Sequence, residues 1–411
     1  MKRHFSAFSA LSAFAAAVAV VGSSAALCAC TPRNEIIKIY NAGDYIDETL
    51  LDEFEEWYAE ETGKNIKVVY DTFDTNESMI MRIEVLKSDY DLVCPSDYMA
   101  ERMIKSGLVQ KIDRSIFDNT REGLFYDGLM DTVRLFDADA EYFVPYAWGT
   151  FGIMYDTDHI APGSDDMKSW SAMWSPEYKK RILMKDSVRD AYSVALIYKN
   201  RDELSRLSDG FTDYNAGYKT ALEAIFADIS DSSIGAAQSA LIEQKSMLYK
   251  YEVDDGKNDM LAGTTEAWLG LFWSCDVGLI MQEDDGKHFY YEVPKEGSNV
   301  WVDGWVIPKY AENTEAANYF LKFINEHEYA KTNFEYLGSS VSVKSVMDEG
   351  KEELIEDEDG FFDGTYDGFK QMYIDMIFPP ADVLARCSVM RDFGAKMNTE
   401  LDSMWIDVKT S

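Results

Sequence analysis

Short β-type runs alternate with amphipathic helical patterns in the N-terminal part of this chain. Residues 36–40, 66–70 and 90–94 are rich in β-branched and aromatic side chains, which is typical of strands. Between them, residues 48–61 and 77–87 repeat apolar side chains at helical spacing. This alternation predicts β-α-β units and a mostly parallel sheet. Because ligands bind such sheets beyond the carboxyl ends of the strands, we expect a site in the loops at those ends.

A second α/β region is predicted to begin near residues 143–146. Residues 191–262 have a mostly helical pattern, and an amphipathic helix is predicted over 314–327. Strand patterns lie between these helical segments, at residues 269–273, 289–293 and 305–308. With 411 residues and about 100–200 residues per domain, the chain is expected to form two or three domains.

The charge balance and the residue counts narrow the function. The chain has 39 Lys and Arg against 74 Asp and Glu, a formal net charge of −35. This excess argues against nucleic-acid binding, which needs clustered basic side chains. With 4 His, no phosphate-binding glycine loop and no nucleophile elbow, we predict no catalytic residues, no metal and no cofactor. A carboxylate pair that cleaves glycosides stays open because acids are abundant.

The N-terminus has the pattern of an export signal. A short basic head precedes an uncharged stretch over residues 5–29, which is also long enough for an uncleaved membrane anchor. The sequence Leu-Cys-Ala-Cys at 27–30 resembles the bacterial lipobox, in which the cysteine is lipidated. The resemblance implies a lipoprotein signal peptide over 1–29 and a lipid on Cys30. A plain signal peptide with a coincidental cysteine is the alternative.

The remaining cysteines do not form a recognisable framework. Cys94, Cys275 and Cys387 are widely and irregularly spaced, without a Cys-x-x-Cys zinc pattern. One disulfide and three free thiols are both compatible with this spacing in an oxidising compartment.

Acids lie beside aromatic residues in the loops expected at the strand ends. The pairs are Asp44 with Tyr45, Asp97 with Tyr98, Trp273 with Asp276, and Trp301 with Asp303. A carboxylate pairs with an ammonium group, and an aromatic face attracts the same cation while covering its methylene stem. Any one pair could be a simple core or rim feature. Four pairs in equivalent places favour a site for a small organic polycation.

Several segments match a known family in order along the chain. They include Ile-Tyr-Asn-Ala-Gly-Asp-Tyr at 39–45 and Tyr-Asp-Leu-Val-Cys-Pro-Ser at 90–96. Further matching segments lie at 61–63, 69–77, 144–149, 169–170, 176–179, 294–297 and 301–303. At these residues the sequence resembles the periplasmic spermidine/putrescine-binding proteins of polyamine ABC transporters, over nearly all of the chain after the signal segment.

The resemblance implies an α/β fold, the two-lobed type II periplasmic-binding-protein fold, with mixed, mostly parallel sheets and two crossovers between the lobes. On that pattern, residues 30–144 and the return segment 303–345 form lobe 1. Residues 145–302 form lobe 2, and residues 346–411 supply its C-terminal helices. The lobes of such hinge-closing proteins close about a bound ligand.

The resemblance also implies which residues bind the ligand. Carried over one by one, they are Gly43, Asp44, Ser96, Tyr98, Asp186, Asp190, Trp273, Asp276, Trp301 and Asp303. Asp276 matches the putrescine-binding members, whereas Asp186 and Asp190 match acids of the spermidine-binding members. We therefore expect putrescine, spermidine or both to bind.

The function that the resemblance implies is capture of a polyamine and its delivery to an ABC permease and the ATPase of that permease. It also implies a monomer in the periplasm or at the cell exterior that touches the membrane through its lipid anchor only. The chain departs from the family at Ala42, at 338–341 and at Met390, where an aromatic, a stacking tyrosine and a polar ligand are usual. Another cationic metabolite, a sugar, or an extracellular carboxylate-pair hydrolase are the alternatives.

Overall fold

The computed structural model describes residues 31–253, 255–283, 286–357 and 360–411, so the signal segment and Cys30 lie outside the described residues. In chain order, the first elements are β1 (Ile36–Ala42), α1 (Thr49–Thr62), β2 (Lys67–Phe73), α2 (Asn76–Glu84), β3 (Leu92–Val93), α3 (Asp97–Lys105), β4 (Val109–Gln110), α4 (Leu129–Val133), β5 (Val144–Asp156), β6 (Ile182–Lys185), α5 (Val188–Leu207), α6 (Ala216–Ala227) and α7 (Asp231–Lys245). They are followed by β7 (Leu248–Glu252), α8 (Asp255–Leu261), β8 (Leu269–Trp273), α9 (Ser274–Met281), β9 (Phe289–Glu292), β10 (Ser298–Trp305), β11 (Ile307–Pro308), α10 (Thr314–Ile324), α11 (His327–Leu337), α12 (Lys344–Glu356), α13 (Phe369–Ile377), α14 (Ala381–Ala385), β12 (Cys387–Ser388) and α15 (Ala395–Thr410).

Three parallel strands form the N-terminal sheet, in the order β2-β1-β3. β1 runs in register with β2 until Ala42 lies opposite Phe73, so their carboxyl ends meet at one edge. Helix α1 packs its apolar face on this region and buries Phe54 completely. The helix ends at Gly63, whose φ of 70° is the left-handed C-cap conformation that glycine adopts without strain. The predicted alternation of strands and helices is confirmed here.

The larger sheet has the strand order β12-β10-β5-β8-β6-β7, and β9 also pairs with β5. β6 is parallel to β7 and β8, whereas β5 is antiparallel to β8, β9 and β10. Helices α5, α7 and α15 contribute Tyr192, Leu241 and Trp405 to the hydrophobic core beneath this sheet. The sheet is therefore mixed, and its helical cover comes from segments far apart in the sequence.

Strand β5 belongs to two hydrophobic cores, and β10 pairs with it. At one end of the pair, Val144 and Trp305 pack with Phe54 in the core of the N-terminal sheet. Further along β5, Phe151 and Ile153 pack in the core of the larger sheet. The two strands thus connect the two sheets.

A register shift between β10 and β5 fixes the position of Asp303. The pairing of β10 with β5 slips between Asp303 and Gly304. A Cβ atom on Gly304 would lie 2.3 Å from the Phe143 ring, so glycine alone fits the close approach. The Gly304 amide donates to the Pro95 carbonyl at 3.1 Å, and Asp303 itself forms a β-bridge with Ser96. Asp303 therefore lies where the larger sheet meets the loop after β3.

Some elements differ from the sequence-based expectation. Asp97 and Tyr98 form the first turn of α3 instead of a loop, because an acid at a helix N-terminus is favoured by the exposed N–H groups there. Trp301 and Asp303 lie inside β10 and not after a strand. The pairing with β5 shifts register between Asp303 and Gly304, but the strand continues to Trp305. The segment at 191–262 is mostly helical as expected, with the short strand β7 between α7 and α8.

Three further findings concern the described ranges only. Within them, none of the helices is both long and apolar enough to cross a membrane. Cys94, Cys275 and Cys387 are free thiols. No group of His, Cys, Asp or Glu side chains in the described part of the chain is arranged to hold a metal ion.

Candidate ligand-binding site

A cavity of about 580 Å³ is lined by residues that follow strands of both sheets. Its volume falls in the range of about 300–1,000 Å³ that is usual for small-molecule sites. Every residue that the sequence analysis assigned to ligand binding lines this cavity: Gly43, Asp44, Ser96, Tyr98, Asp186, Asp190, Trp273, Asp276, Trp301 and Asp303. Strand ends, the first turns of helices and the interior of β10 together supply these side chains.

The loop after β1 supplies one wall of the cavity. Asp44 is exposed and has a φ of 52°, a left-handed conformation that aspartate adopts more readily than most residues. This turn directs Tyr45 back into the protein, where its hydroxyl donates to Asp303 Oδ2 at 2.8 Å. Gly43 is exposed at the rim, with open space around its α-carbon.

The start of α3 supplies the neighbouring wall. Ser96 and Asn76 are joined by two hydrogen bonds, from Asn76 Nδ2 to Ser96 Oγ at 3.0 Å and from the Ser96 amide to Asn76 Oδ1 at 3.1 Å. The next residue, Asp97, is buried and accepts from the Tyr98 amide at 2.6 Å and the Val302 amide at 3.4 Å. Burial raises the pKa of Asp97 to about 8. The carboxyl of Asp97 therefore connects the start of α3 to the backbone of β10.

Asp303 lines the cavity and has one carboxylate oxygen without a partner among the described residues. The residue is half-buried, and its Oδ1 atom is buried without a hydrogen-bond partner among the described residues. Burial raises the pKa of Asp303 to about 6, although hydrogen bonds from Ser96 and Tyr45 act in the opposite direction. A buried, unpartnered acceptor costs free energy, which a ligand that donates a hydrogen bond removes.

Two tryptophans provide apolar faces beside this carboxylate. Trp301 is 8% exposed, and its Nε1 donates to the Thr150 carbonyl at 3.2 Å. The ring fits because residue 149 is glycine: a Cβ atom there would lie 2.7 Å from Trp301 and 2.2 Å from Ser274 Oγ. Trp273 is half-buried at the end of β8, and the Lys185 Nζ atom lies 4.3 Å from the centroid of its ring.

Asp276 is occupied by the protein's own cations. Its Oδ2 atom lies 2.8 Å from Lys185 Nζ, and its Oδ1 atom lies 2.8 Å from Lys257 Nζ. Lys185 is also 3.1 Å from Glu252 Oε1. Burial alone raises the pKa of Asp276, but the two ammonium groups outweigh it and hold that pKa below its usual value. The side chain is thus ionised and already paired.

The two acids near the start of α5 differ in their surroundings. Asp186 accepts from Trp405 Nε1 at 3.0 Å and pairs with Lys409 Nζ at 2.8 Å. Asp190 is 6% exposed, and its burial raises its pKa to about 6, which the Ser187 side chain and Lys185 partly oppose. Asp190 is therefore the less compensated of the two carboxylates.

Arg189 is a cation within the cavity lining. Its guanidinium lies between two rings, with its central carbon 4.2 Å from the Tyr98 centroid and 4.1 Å from the Phe393 centroid. The Nη2 atom donates to the Arg391 carbonyl. The Nε and Nη1 atoms are buried, and the residues that the structure describes offer them no partner.

Some lining residues were not assigned to ligand binding from the sequence. The sequence did contain a pattern that pointed to Tyr45 and Asp97, because each belongs to one of the acid–aromatic pairs. A weaker pattern pointed to Lys185, since it is the polar end of an otherwise apolar strand. No sequence pattern pointed to Lys257, which lies in the short helix α8 and is brought to Asp276 only in the folded structure.

Comparison with known proteins is consistent with this geometry. A family model described as bacterial extracellular solute-binding protein matches residues 49–361. The chain is 31% identical over 329 residues to a spermidine/putrescine-binding periplasmic protein of Salmonella typhimurium, covering 79% of this chain and 81% of that protein. It is 26% identical over 410 residues to the putrescine-binding periplasmic protein SpuD of Pseudomonas aeruginosa, covering 96% and 97%.

A solved structure shares the fold. The spermidine/putrescine ABC transporter substrate-binding protein PotD of Streptococcus pneumoniae superposes with a TM-score of 0.66 at 24% identity, covering 92% of this chain and 99% of that one. The predicted α/β class, with mixed sheets and the topology of periplasmic binding proteins, is thereby confirmed.

Proposed function

Because this chain belongs to the family of bacterial extracellular solute-binding proteins, we propose that it captures a polyamine, putrescine or spermidine, outside the cytoplasm and delivers it to an ABC permease. The observation that carries this proposal is the state of Asp303. Its Oδ1 atom is buried and unpartnered among the described residues, in a cavity that Trp301 and Trp273 also line. An ammonium group donates a hydrogen bond to Asp303 Oδ1, and the alkyl chain that carries it packs against the two tryptophan rings.

The chemistry of the proposed capture follows from these contacts. An ammonium group donates to Asp303 Oδ1 in a charge-assisted hydrogen bond, which contributes about 1.5–3 kcal/mol. The faces of Trp273, Trp301 and Tyr98 cover the methylene groups and attract the cation, for about 0.5–2 kcal/mol more. A pKa near 6 leaves Asp303 ionised at neutral pH, and a bound ammonium group lowers that pKa further.

The balance of charge in the cavity supports a cationic ligand over a sugar. Besides Asp97, whose pKa of about 8 keeps it mostly protonated at neutral pH, acids line the cavity at Asp44, Asp74, Glu77, Asp186, Asp190, Asp276 and Asp303, against cations at Lys185, Arg189, Lys257 and Lys409. A neutral sugar gains no charge–charge attraction from such a surplus, whereas an ammonium group does. The carboxylate-pair hydrolase is disfavoured as well, because Asp97, the acid near Asp303, accepts from two backbone amides and is not free to act on a substrate.

The lobe boundaries are part of the proposal. Residues 30–144 and 303–345 form lobe 1, and residues 145–302 and 346–411 form lobe 2. The lobes move relative to each other about β5, which packs in both hydrophobic cores, and about β10, which pairs with it. Closure then brings Tyr98 of lobe 1 against the ligand on Trp273 of lobe 2.

The location and partners complete the proposal. The signal segment at 1–29 directs export, and a lipid on Cys30 tethers the mature chain to the membrane. The protein acts as a monomer without catalysis, and the closed, loaded form docks on a permease that is driven by an ATPase. The names of the relatives support a place outside the cytoplasm.

Ligand screening tests the proposed function. Thermal shift with putrescine, spermidine, simple sugars and glycosides should give stabilisation by the polyamines only, since a ligand that binds the native state raises its melting temperature. Mass spectrometry of ligand released from freshly purified protein provides a second readout. Stabilisation by a sugar, or turnover of a glycoside, without any response to polyamines would contradict the proposal.

A further inference from the structure

The charge of Asp276 is neutralised by two lysine side chains of the protein itself. Each of its carboxylate oxygens lies 2.8 Å from a lysine Nζ atom, one on Lys185 and one on Lys257. The three side chains are at most 8% exposed. A carboxylate that already holds two ammonium groups has little attraction left for a third. Asp276 therefore differs from Asp303, the other acid of this lining, which keeps one oxygen without a partner among the described residues.

The two lysines differ in what they can still donate. The Lys185 ammonium donates to Asp276 and to the Val253 carbonyl, and it also forms an ion pair with Glu252. Lys257 lines the cavity, and within the described ranges Asp276 is its hydrogen-bond partner. The Lys257 ammonium thus keeps N–H groups for a molecule inside the cavity.

The charges of this cluster cancel. Two ammonium groups, on Lys185 and Lys257, lie against two carboxylates, on Asp276 and Glu252. Burial lowers the pKa of Lys257, but Asp276 outweighs it and holds that pKa above its usual value, so Lys257 stays a charged donor. A cluster with no net charge attracts no second ligand ammonium, whereas an oxygen atom can accept from Lys257.

Arg189 gives independent support for donors in the lining. It is 6% exposed, and its Nε and Nη1 atoms are buried without partners in the described part of the chain. Unpaired buried donors cost free energy until an oxygen accepts from them. The cavity therefore has unsatisfied donors as well as the unsatisfied acceptor on Asp303.

From this asymmetry we infer that the ligand carries an amine at one end, held by Asp303, and an oxygen acceptor at the other end, held by Lys257. Amide carbonyls and carboxylates both supply such an oxygen. The surplus of carboxylates in the lining favours the neutral carbonyl, so the class that fits best is a mono-N-acylated diamine. The inference rests on the proposed function, since it keeps a polyamine amine at Asp303.

Calorimetric titration of the unmodified protein tests the inference first. The ligands are putrescine, N-acetylputrescine and 4-aminobutanoate. Each has an amine at one end of a four-carbon chain, and they differ in the group at the other end, which is an amine, an amide or a carboxylate. We expect N-acetylputrescine to bind about threefold or more tighter than putrescine, because its carbonyl accepts from Lys257. Tightest binding of 4-aminobutanoate would also support the acceptor end and would identify a carboxylate as its source.

The variant Lys257→Met removes the donor and frees one oxygen of Asp276. We expect binding of N-acetylputrescine to weaken about tenfold and binding of putrescine to tighten, so that the preference reverses. Lys331→Met is the matched control, because Lys331 pairs with Glu349 and Glu353 and does not line the cavity. Its ligand preference should equal that of the unmodified protein.

The outcomes separate this inference from the proposed function. Putrescine binding tenfold tighter than both oxygen-bearing ligands, with the same preference in Lys257→Met, overturns the inference and leaves polyamine capture intact. If none of these ligands binds the unmodified protein, the inference fails; if spermidine does not bind either, the proposed function fails with it. Should Lys257→Met not fold, as judged by its melting curve, the preference of the unmodified protein alone decides the inference.

Discussion

The Tyr45 hydroxyl donates to Asp303 Oδ2 at 2.8 Å, although the two residues are 258 positions apart in the sequence. Tyr45 follows β1 of the N-terminal sheet, and Asp303 lies in β10 of the larger sheet. The bond holds one carboxylate oxygen within the protein and leaves Oδ1 without a partner among the described residues. A contact between the two sheets thus orients the acid that we assign to the ligand ammonium.

Removal of this hydroxyl tests its role. In Tyr45→Phe we expect polyamine affinity to fall about tenfold, the value of one hydrogen bond to a charged group. The Tyr45 hydrogen bond also lowers the pKa of Asp303, which burial raises to about 6. Ligand affinity should therefore fall as the pH drops through about 6 in the unmodified protein, and at a higher pH in Tyr45→Phe.

Titration calorimetry between pH 5 and pH 8 measures both effects. Tyr126→Phe is a suitable control, since Tyr126 packs on Trp148 away from the cavity. Equal affinities and equal pH midpoints for Tyr45→Phe and the unmodified protein would refute this role of Tyr45.

The buried acid Asp97 makes the ligand-free protein sensitive to pH. Burial raises its folded-state pKa to about 8, whereas an unfolded aspartate titrates near about 3.9. Between these values the unfolded state releases a proton that the folded state keeps, so stability falls as the pH rises. We expect the melting temperature to decrease from pH 6 to pH 8.5, and Asp97→Asn to reduce this slope.

A surface acid serves as the control for that slope. Hydrogen bonds from Thr120 lower the pKa of Asp118, so its titration lies below the range from pH 6 to pH 8.5. Asp118→Asn should therefore leave the slope unchanged. A slope that is the same in Asp97→Asn and in the unmodified protein would show that Asp97 titrates normally.

The glycine beside Trp301 is expected to be irreplaceable. In Gly149→Ala the new Cβ would lie 2.2 Å from Ser274 Oγ and 2.7 Å from Trp301, so the indole must move. We predict a loss of about 1–3 kcal/mol in the free energy of unfolding and weaker polyamine binding. Gly235→Ala in α7 has open space and should stabilise the helix by about 0.5–1 kcal/mol. Unfolding curves that show no loss for Gly149→Ala would contradict this packing argument.

The anchor can be tested by fractionation of cells that express the full chain. We predict that Cys30→Ser releases the protein from the membrane or leaves it as an unprocessed precursor, because the serine cannot take a lipid. Cys387→Ser is the matched control, since Cys387 is a buried free thiol in the folded part. Normal processing and membrane retention of Cys30→Ser would exclude the lipoprotein assignment.

Local patterns were sufficient to predict much of the fold. Residues 48–61 repeat apolar side chains at helical spacing, and α1 (Thr49–Thr62) forms there with Gly63 at its end. The acid–aromatic pairs were likewise sufficient to predict that Asp303 and Trp301 line one cavity. Both features depend on residues that are neighbours in the sequence, although Trp301 and Asp303 lie inside β10 and not in the expected strand-end loop.

The state of Asp276 could not be predicted in the same way. Its partners are 91 and 19 positions away, at Lys185 and Lys257. Their meeting depends on how β6 and α8 pack, and no spacing in the sequence encodes it. The family resemblance implied that Asp276 binds an ammonium group of the ligand, whereas in the structure Asp276 pairs with two lysines of the protein. The consequence is that Asp276→Asn would leave two buried ammonium groups undercompensated and is a poor probe of ligand binding.

The most direct test of the account is calorimetric titration of the unmodified protein and of Asp303→Asn with putrescine and spermidine. Loss of a buried charge partner costs about 2–5 kcal/mol, so affinity for every polyamine that binds should fall roughly 30-fold or more. Because burial opposes ionisation of Asp303, the melting temperature of ligand-free Asp303→Asn should not decrease. Absence of polyamine binding by the unmodified protein, or equal affinity in Asp303→Asn, would contradict the account.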